Sequence, residues 1–155
     1  MPSPPTPSVP YFAYGRNMGS GAMELACPGH RFLGAAELPD HRLAFTRRSL
    51  RTGAGVADIL ATPRASVWGA LYELDDAHLA AIDAKEGNGW AYERRAVRVI
   101  AGDDELEAFA YAVIAPAAEH VQPSREYLQA LVEGAYECGL PDDYVAALAA
   151  VASSG

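Results

Sequence analysis

Glu86 occupies a position where a carboxylate can act as a general acid or base. It lies near the end of the segment DDAHLAAIDAKEG, residues 75–87, and follows Leu79 and Ile82, which are three residues apart. A helix turns by about 100° per residue, so the carboxylate is on the same side as these two apolar side chains. Burial and the negative end of the helix dipole disfavour its charged form, so we expect the raised pKa typical of acid–base residues. The alternative is a glutamate that reaches water or pairs with an arginine.

A second stretch, YFAYGRNM at residues 11–18, joins strand-forming aromatic residues to a polar turn. Aromatic side chains suit a half-buried strand, whereas Gly15, Arg16 and Asn17 are residue types that favour turns and polar contacts. The exposed N–H groups of such a turn can bind a carboxylate or a developing oxyanion, and glycine lets the backbone approach a ligand closely. Tyr14 fits a place beside that ligand or an ordinary place in the core.

The run TRRSLRTG at residues 46–53 places three arginines close together in an acidic chain. A solvated loop is the simpler interpretation. The alternative is an anion-binding loop, because the planar fork of an arginine binds carboxylates and phosphates.

Other catalytic and cofactor motifs are missing from the sequence. The histidines have no HxxxH or HExxH spacing, so no metal site is predicted. They are His30, His41, His78 and His120. There is no GxSxG, Walker or GxGxxG motif, and GSG at residues 19–21 is too short to indicate phosphate binding. We therefore expect neither a metal nor another cofactor.

Length and composition predict one soluble domain. The 155 residues are 50% hydrophobic, which is enough for a sizeable core, and the formal charge of −8 argues against a nucleic-acid partner. No apolar run approaches the roughly 18 residues of a membrane helix, and no signal peptide is visible, so we expect a cytoplasmic protein without a membrane partner. Cys27 and Cys138 are too few and too distant for a disulfide framework and are predicted to be buried free thiols.

The domain is predicted to span residues 9–151, after a disordered, proline-rich leader at residues 1–8. Strands are predicted at 11–14, 31–38, 42–46, 55–61, 66–74, 93–100 and 106–114. Helices are predicted at 76–86, 124–138 and 142–151, with a weaker candidate at 20–26. Short strands outnumber helices and show no regular βαβ alternation. The pattern therefore favours an α+β fold, with helices packed outside a compact antiparallel or mixed β-barrel.

The order of motifs along the chain resembles that of the γ-glutamylcyclotransferase family. YFAYGRNM is similar to the family signature YFAYGSNL or YGSNM. The similar segments that follow are GVADI (55–59), VWGALYEL (67–74), LAAIDAKEG (79–87), FAYAVI (109–114) and PSREYLQALVEGAYECGLPDDYVAAL (123–148). A lone YGxN motif would be weak, whereas this ordered set is specific and covers residues 11 to 150 approximately.

The resemblance implies a small closed β-barrel with flanking helices and a pocket at its mouth. It implies an enzyme that cleaves γ-glutamyl amides: the α-amine of the substrate attacks its own γ-carbonyl, which releases 5-oxoproline and an amine or amino acid. By position in the motifs, Glu86 becomes the general acid–base residue. The predicted substrate-binding residues are Tyr14, Gly15, Arg16, Asn17 and Met18, whose backbone amides hold the glutamyl end, together with Tyr92 and Tyr127. Tyr127 fits a packing role as well.

Arg16 departs from the family pattern, which has a small serine at this position of the turn. A pocket-facing arginine favours a substrate with an additional carboxylate or phosphate, whereas an arginine in solvent or paired with an acidic residue does not. Three functions therefore remain: a cyclotransferase for γ-glutamyl amino acids or peptides, the same chemistry on a γ-glutamyl amine or γ-glutamyl-protected metabolite, and a binding module without turnover. The presence of Glu86 favours the two enzymatic functions over the binding module. We expect a small-molecule substrate and a monomer or homodimer.

Overall fold

A computed structural model of the chain describes residues 9–154, with side chains for residues 9–151. The described residues form five strands, four α-helices and one 3₁₀ turn. In chain order they are β1 (Tyr11–Ala13), the 3₁₀ turn (Arg16–Met18), α1 (Ser20–Ala26), β2 (Arg31–Arg48), β3 (Gly55–Glu73), α2 (Asp76–Glu86), β4 (Tyr92–Ala101), β5 (Asp104–Val113), α3 (Arg125–Glu137) and α4 (Asp142–Ser154). The predicted leader at residues 1–8 lies outside the described residues. Within the described part, no helix has the length and apolar character needed to cross a membrane.

The strands form a closed barrel in the order β1, β3, β2, β4 and β5. Neighbouring strands are antiparallel, except that β1 and β5 close the barrel in parallel, with Tyr11 opposite Phe109. Buried residues such as Phe12, Ile59 and Val99 belong to one hydrophobic core. The closed mixed barrel with flanking helices confirms the predicted fold class.

One long hairpin, formed by β2 and β3, replaces four shorter predicted strands. Those strands were expected at 31–38, 42–46, 55–61 and 66–74. The chain continues through both expected breaks because Asp40 and Arg64 take positive φ angles of 59° and 67° within the strands. Asp40 Oδ1 also accepts the backbone N–H of Arg64 at 3.1 Å. The predicted breaks were wrong because residues that form turns, here Pro39 and Asp40, also suit a β-bulge, where the pairing register shifts.

Helix α2 has both of its predicted caps and carries Glu86 at its C-terminal end. Asp75 Oδ1 accepts a backbone N–H of the first turn at 2.8 Å. Gly87 follows the helix in the left-handed conformation, with a φ of 65°. Ile82 is fully buried and anchors the helix on the core, whereas Leu79 is only partly buried, so the apolar stripe is narrower than predicted.

The turn after β1 is held between β3 and α3. The carbonyl oxygen of Met18 accepts hydrogen bonds from the Tyr72 hydroxyl at 2.6 Å and from the Cys138 thiol at 3.1 Å. A Cβ atom at Gly134 would lie 3.1 Å from Met18 Cβ, so glycine at this point of α3 permits the close approach. Cys27 and Cys138 are both buried and free, as predicted.

Candidate active site

Glu86 lies in a pocket of about 290 Å³, which we call the inner pocket. The pocket is formed by the end of α2, the turn after β1 and the barrel strands. Its lining consists of Tyr11, Tyr14, Gly15, Arg16, Asn17, Ala57, Glu86, Tyr92 and Tyr111. Burial raises the pKa of Glu86, as the helix pattern predicted, and the charge of Lys85 and a hydrogen bond from Asn17 oppose that shift. A carboxyl group with a raised pKa is suited to accept a proton and to return it.

Asn17 holds the Glu86 carboxylate in a fixed position. Its Nδ2 donates to Glu86 Oε1 at 2.6 Å and to the Tyr11 hydroxyl at 3.0 Å. Its Oδ1 accepts from Lys85 Nζ at 2.6 Å. Because an ammonium group can only donate, Lys85 fixes the orientation of the amide and keeps Nδ2 turned towards Glu86. The network therefore fixes the position of the carboxylate in the pocket.

The turn after β1 presents three unpaired backbone N–H groups. Those of Gly15, Arg16 and Asn17 have no acceptor among residues 9–151, whereas that of Met18 donates to the carbonyl of Gly15 at 3.0 Å. The Met18 amide is thus used inside the turn, and we expect only the other three to be available to a ligand. A Cβ atom at Gly15 would lie 3.5 Å from the Tyr127 hydroxyl, so glycine leaves this space open.

Two tyrosine hydroxyls bond to the backbone of Ala57 in β3. The Tyr92 hydroxyl donates to the Ala57 carbonyl at 2.8 Å, and the Tyr127 hydroxyl accepts the Ala57 N–H at 3.0 Å. Burial raises the pKa of Tyr127 to about 12, so its own proton remains available for donation to a ligand. Tyr14 is buried, lines the inner pocket and donates to the carbonyl of Tyr111.

Asp58 holds in place the part of β3 to which Tyr92 and Tyr127 form hydrogen bonds. Its side chain is 1% exposed, and Oδ2 accepts from the Thr46 hydroxyl at 2.8 Å. Oδ1 accepts the backbone N–H of Ile59 at 2.8 Å and of Val113 at 3.0 Å. One carboxylate thus joins β2, β3 and β5 next to Ala57, which makes Asp58 a positioning residue for the site.

A wider cleft of about 940 Å³, which we call the outer cleft, opens from the inner pocket. The two cavities share Arg16, Asn17, Glu86 and Tyr92. The outer cleft adds Arg47, Arg51, Lys85, Trp90 and Tyr127 to this shared set. The side chain of Arg16 is exposed and forms no ion pair with any residue from 9 to 151. Of the alternatives for Arg16, pairing with an acidic residue of the described part is therefore not observed.

Known proteins are similar to this chain in sequence. The model of the AIG2-like family matches residues 66–148. The human protein named gamma-glutamylcyclotransferase is 30% identical over 153 aligned residues, which cover 96% of this chain and 81% of that protein. The chain belongs to the AIG2-like, γ-glutamylcyclotransferase family.

Further members of the γ-glutamylcyclotransferase family agree with this assignment. The bovine gamma-glutamylcyclotransferase is 31% identical over 140 aligned residues, which cover 86% of this chain and 73% of that protein. A solved structure named gamma-glutamyl cyclotransferase has a TM-score of 0.85 and 29% identity, and the match covers 92% of this chain and 86% of that one. The barrel and its order of elements are thus those of the family.

The inner pocket brings most of the predicted site residues together. Glu86, Tyr14, Gly15, Arg16, Asn17 and Tyr92 line it, and Tyr127 lines the outer cleft. Met18 is fully buried and lines neither cavity. Sequence reasoning missed Tyr11, Lys85, Asp58 and Trp90. Lys85 and Trp90 lie within four residues of Glu86, so attention to its neighbours would have found them, whereas the roles of Tyr11 and Asp58 depend on tertiary contacts.

Proposed function

We propose that the protein is a γ-glutamyl cyclotransferase that cleaves a γ-glutamyl amide and releases 5-oxoproline. The observation that carries the proposal is the carboxyl group of Glu86, which lies beside a turn with unpaired N–H groups, in a pocket that continues into a wider cleft. The name of the human relative, which matches 96% of this chain, supports the same activity.

Glu86 carries the protons in the proposed reaction. The α-ammonium group of the substrate has a pKa of about 7.7 to 8.0, so it is mostly protonated at neutral pH and cannot attack a carbonyl. Ring closure removes two protons from this nitrogen, and the leaving nitrogen gains two when it departs as an ammonium group. Glu86 accepts each proton as a carboxylate and passes it on as an acid, one at a time. Asn17 holds Oε1 in place for these transfers.

The substrate supplies its own nucleophile. The α-nitrogen forms a bond to the γ-carbonyl carbon, and the bond from that carbon to the leaving nitrogen breaks. An intramolecular attack of this kind can have an effective molarity of about 10⁵ to 10⁸ M when the geometry is held. The protein therefore needs no serine or cysteine nucleophile, and burial raises the pKa of both cysteine thiols, Cys27 and Cys138.

The turn and the tyrosines hold the substrate in this geometry. The unpaired N–H groups of Gly15, Arg16 and Asn17 bind the glutamyl end or the oxyanion that develops on the γ-carbonyl. The Tyr127 hydroxyl is a further donor, since it accepts its hydrogen bond from Ala57 and keeps its own proton. Tyr92 supports the site by fixing the other side of Ala57.

Mass spectrometry of 5-oxoproline tests the function. Purified protein is incubated with γ-glutamyl amino acids, γ-glutamyl amines and their N-acetyl derivatives. We expect 5-oxoproline from free-amine substrates and no cleavage of the N-acetyl compounds, because the blocked nitrogen cannot attack. Free glutamate in place of 5-oxoproline would show hydrolysis by water, and either that result or no cleavage at all would contradict the proposal.

We also propose a cytoplasmic location for the enzyme. Cys27 and Cys138 are both free thiols. Free thiols are typical of a reducing compartment, where disulfides are rare.

A further inference from the structure

The outer cleft concentrates positive charge in an acidic protein. Arg16, Arg47, Arg51 and Lys85 line it, and Glu86 is the only carboxylate among its described lining residues. The whole chain has 12 Lys and Arg residues against 20 Asp and Glu residues. A third of the basic residues therefore line one cleft, and that cleft shares Glu86 with the inner pocket.

The arginines of the outer cleft differ from those on the surface of β4. Three arginines of β4 each contact a carboxylate, in the pairs Arg94–Asp83 at 2.7 Å, Arg95–Glu93 at 3.1 Å and Arg98–Glu105 at 2.7 Å. Arg16, Arg47 and Arg51 form no such pair with residues 9–151. Residues 1–8, MPSPPTPS, contain no Asp or Glu that could supply one. The cleft thus keeps guanidinium groups available for an anionic ligand.

Arg47 is held in place by an aromatic ring. Its guanidinium carbon lies 5.4 Å from the centroid of the Trp90 ring. Trp90 packs closely on Gly87, where a Cβ atom would lie 2.6 Å from the ring. This cation–π contact uses none of the guanidinium N–H groups as hydrogen-bond donors to a carboxylate, so they remain available to bind a carboxylate or phosphate. The Arg47 fork is thus positioned next to the end of α2, which carries Glu86.

Arg51 lies on a short loop that is closed by its own hydrogen bonds. Ser49 N–H donates to the Ala54 carbonyl and Gly53 N–H to the Ser49 carbonyl, both at 2.8 Å. The Arg51 N–H donates to the Ser49 hydroxyl oxygen at 3.2 Å. The loop therefore presents a second guanidinium group to the same cleft from a defined backbone.

We propose that the outer cleft selects γ-glutamyl amides whose leaving amine carries two anionic groups, as in a dicarboxylic amino acid or a phosphorylated amino acid. The inference rests on the proposed function, which puts the glutamyl end in the inner pocket and the scissile amide beside Glu86. The leaving amine then extends into the cleft that shares Glu86 with that pocket. Arg47 and Arg51 provide two separate forks, so two anionic groups bind better than the single carboxylate of a neutral amino acid.

Matched pairs of substrates test the selection. The first pair is γ-glutamyl-glutamate and γ-glutamyl-glutamine, and the second is γ-glutamyl-phosphoserine and γ-glutamyl-serine. We expect kcat/KM for the more anionic member to be higher by about 10-fold, the effect of one hydrogen bond to a charged group. The first pair reports a preference for a carboxylate and the second a preference for a phosphate. Preference in either pair supports the anion site, and the larger ratio identifies the anion.

Two variants locate the selection in the cleft. In the double variant Arg47→Gln, Arg51→Gln, the ratio within the preferred pair should fall to about two-fold or less, because two charged partners are lost. Arg42→Gln makes the same type of change at an exposed position of β2 that lies outside both cavities, and it should keep the wild-type ratio. Melting temperatures check that each variant is folded. Added salt should lower the wild-type ratio, since the Debye length is only about 10 Å at 0.1 M.

The outcomes separate the two proposals. If no substrate yields 5-oxoproline, the proposed function is wrong and the inference falls with it. If 5-oxoproline forms but both pairs are cleaved with equal kcat/KM, the function stands and the anion site is wrong. The anion site is also wrong if the folded double variant keeps the full wild-type ratio, because the selection would then come from other residues.

Discussion

The hydrogen-bond network around Glu86 and the arginines of the outer cleft differ in whether their polar groups already have partners. In the inner pocket, Asn17 is bonded to Tyr11, Glu86 and Lys85 at 2.6 to 3.0 Å. In the outer cleft, Arg16, Arg47 and Arg51 form no ion pair with the described residues.

In the proposed reaction, the bonded network serves proton transfer, and the unpaired arginines select the substrate. The network fixes the carboxylate before the substrate arrives, which in the proposed reaction lowers the reorganisation needed for proton transfer. Free guanidinium groups contribute little until an anion binds, and then they discriminate between ligands. Changes in the inner pocket should therefore reduce turnover of every substrate, whereas changes in the outer cleft should alter the ratio between substrates. Four predictions test this distinction.

Glu86→Gln should have the largest effect. The amide keeps the size of the side chain and can still accept from Asn17, but it cannot shuttle protons. Turnover should fall by roughly 10²-fold to 10⁴-fold, the range for general acid–base residues, and equally for acidic and neutral substrates. Assays of 5-oxoproline on both substrate types measure this. Near wild-type turnover by the folded variant would show that Glu86 is not the general acid–base residue.

Thermal melts of the same variant provide its control. Because the folded-state pKa of Glu86 is raised, its charged form destabilises the folded protein at neutral pH, and that cost disappears as pH falls below the ordinary pKa of glutamate. Glu86→Gln should therefore melt at or above the wild-type temperature at neutral pH. The difference should shrink as the pH is lowered through the raised pKa towards the ordinary one.

Asn17→Ala should have the second largest effect. It removes the partner of Glu86, Tyr11 and Lys85 at once. An unpaired buried group costs about 1–3 kcal/mol, so kcat/KM should fall by roughly 5-fold to 150-fold for all substrates. The ratio between γ-glutamyl-glutamate and γ-glutamyl-glutamine should stay constant. A selective loss with the acidic substrate would show that Asn17 belongs with the outer cleft.

Arg16→Ser should change the ratio between substrates. Arg16 lines both cavities, so its removal should lower kcat/KM for γ-glutamyl-glutamate and improve γ-glutamyl-alanine. One charged contact corresponds to a change of about 10-fold or more in this ratio. Kinetics on the two substrates measure it, and an unchanged ratio would assign Arg16 to the solvated surface.

Lys85→Gln should have the smallest effect, a shift along the pH axis. The charge of Lys85 lowers the pKa of Glu86, so its removal should raise that pKa further above the ordinary value. The acidic limb of the profile of kcat/KM against pH should then move to higher pH. Glutamine can still donate to Asn17, which preserves the network. A limb that does not move would mean that another group titrates there.

The sequence by itself determined the local features of the site. The spacing of Ile82 and Glu86, the Asp75 cap and the Gly87 end of α2 all follow from helix periodicity and cap chemistry, which depend on residues a few positions apart. The aromatic strand that leads into the Gly15 turn is local in the same sense. The ordered motifs also identified the family, because they extend over most of the chain.

Only the tertiary structure decided which distant groups meet. Asn17 and Glu86 are 69 residues apart in sequence, and Ala57 and Tyr127 are 70 apart, yet both pairs are in hydrogen-bond contact. No periodicity predicts such contacts, because they depend on the closure of the barrel and on the packing of α2 and α3 around it. For the same reason the sequence left the TRRSLRTG run open between a solvated loop and an anion-binding loop. The fold places two arginines of this run, Arg47 and Arg51, in the cleft that Glu86 also lines. It also brings Arg47 over the ring of Trp90.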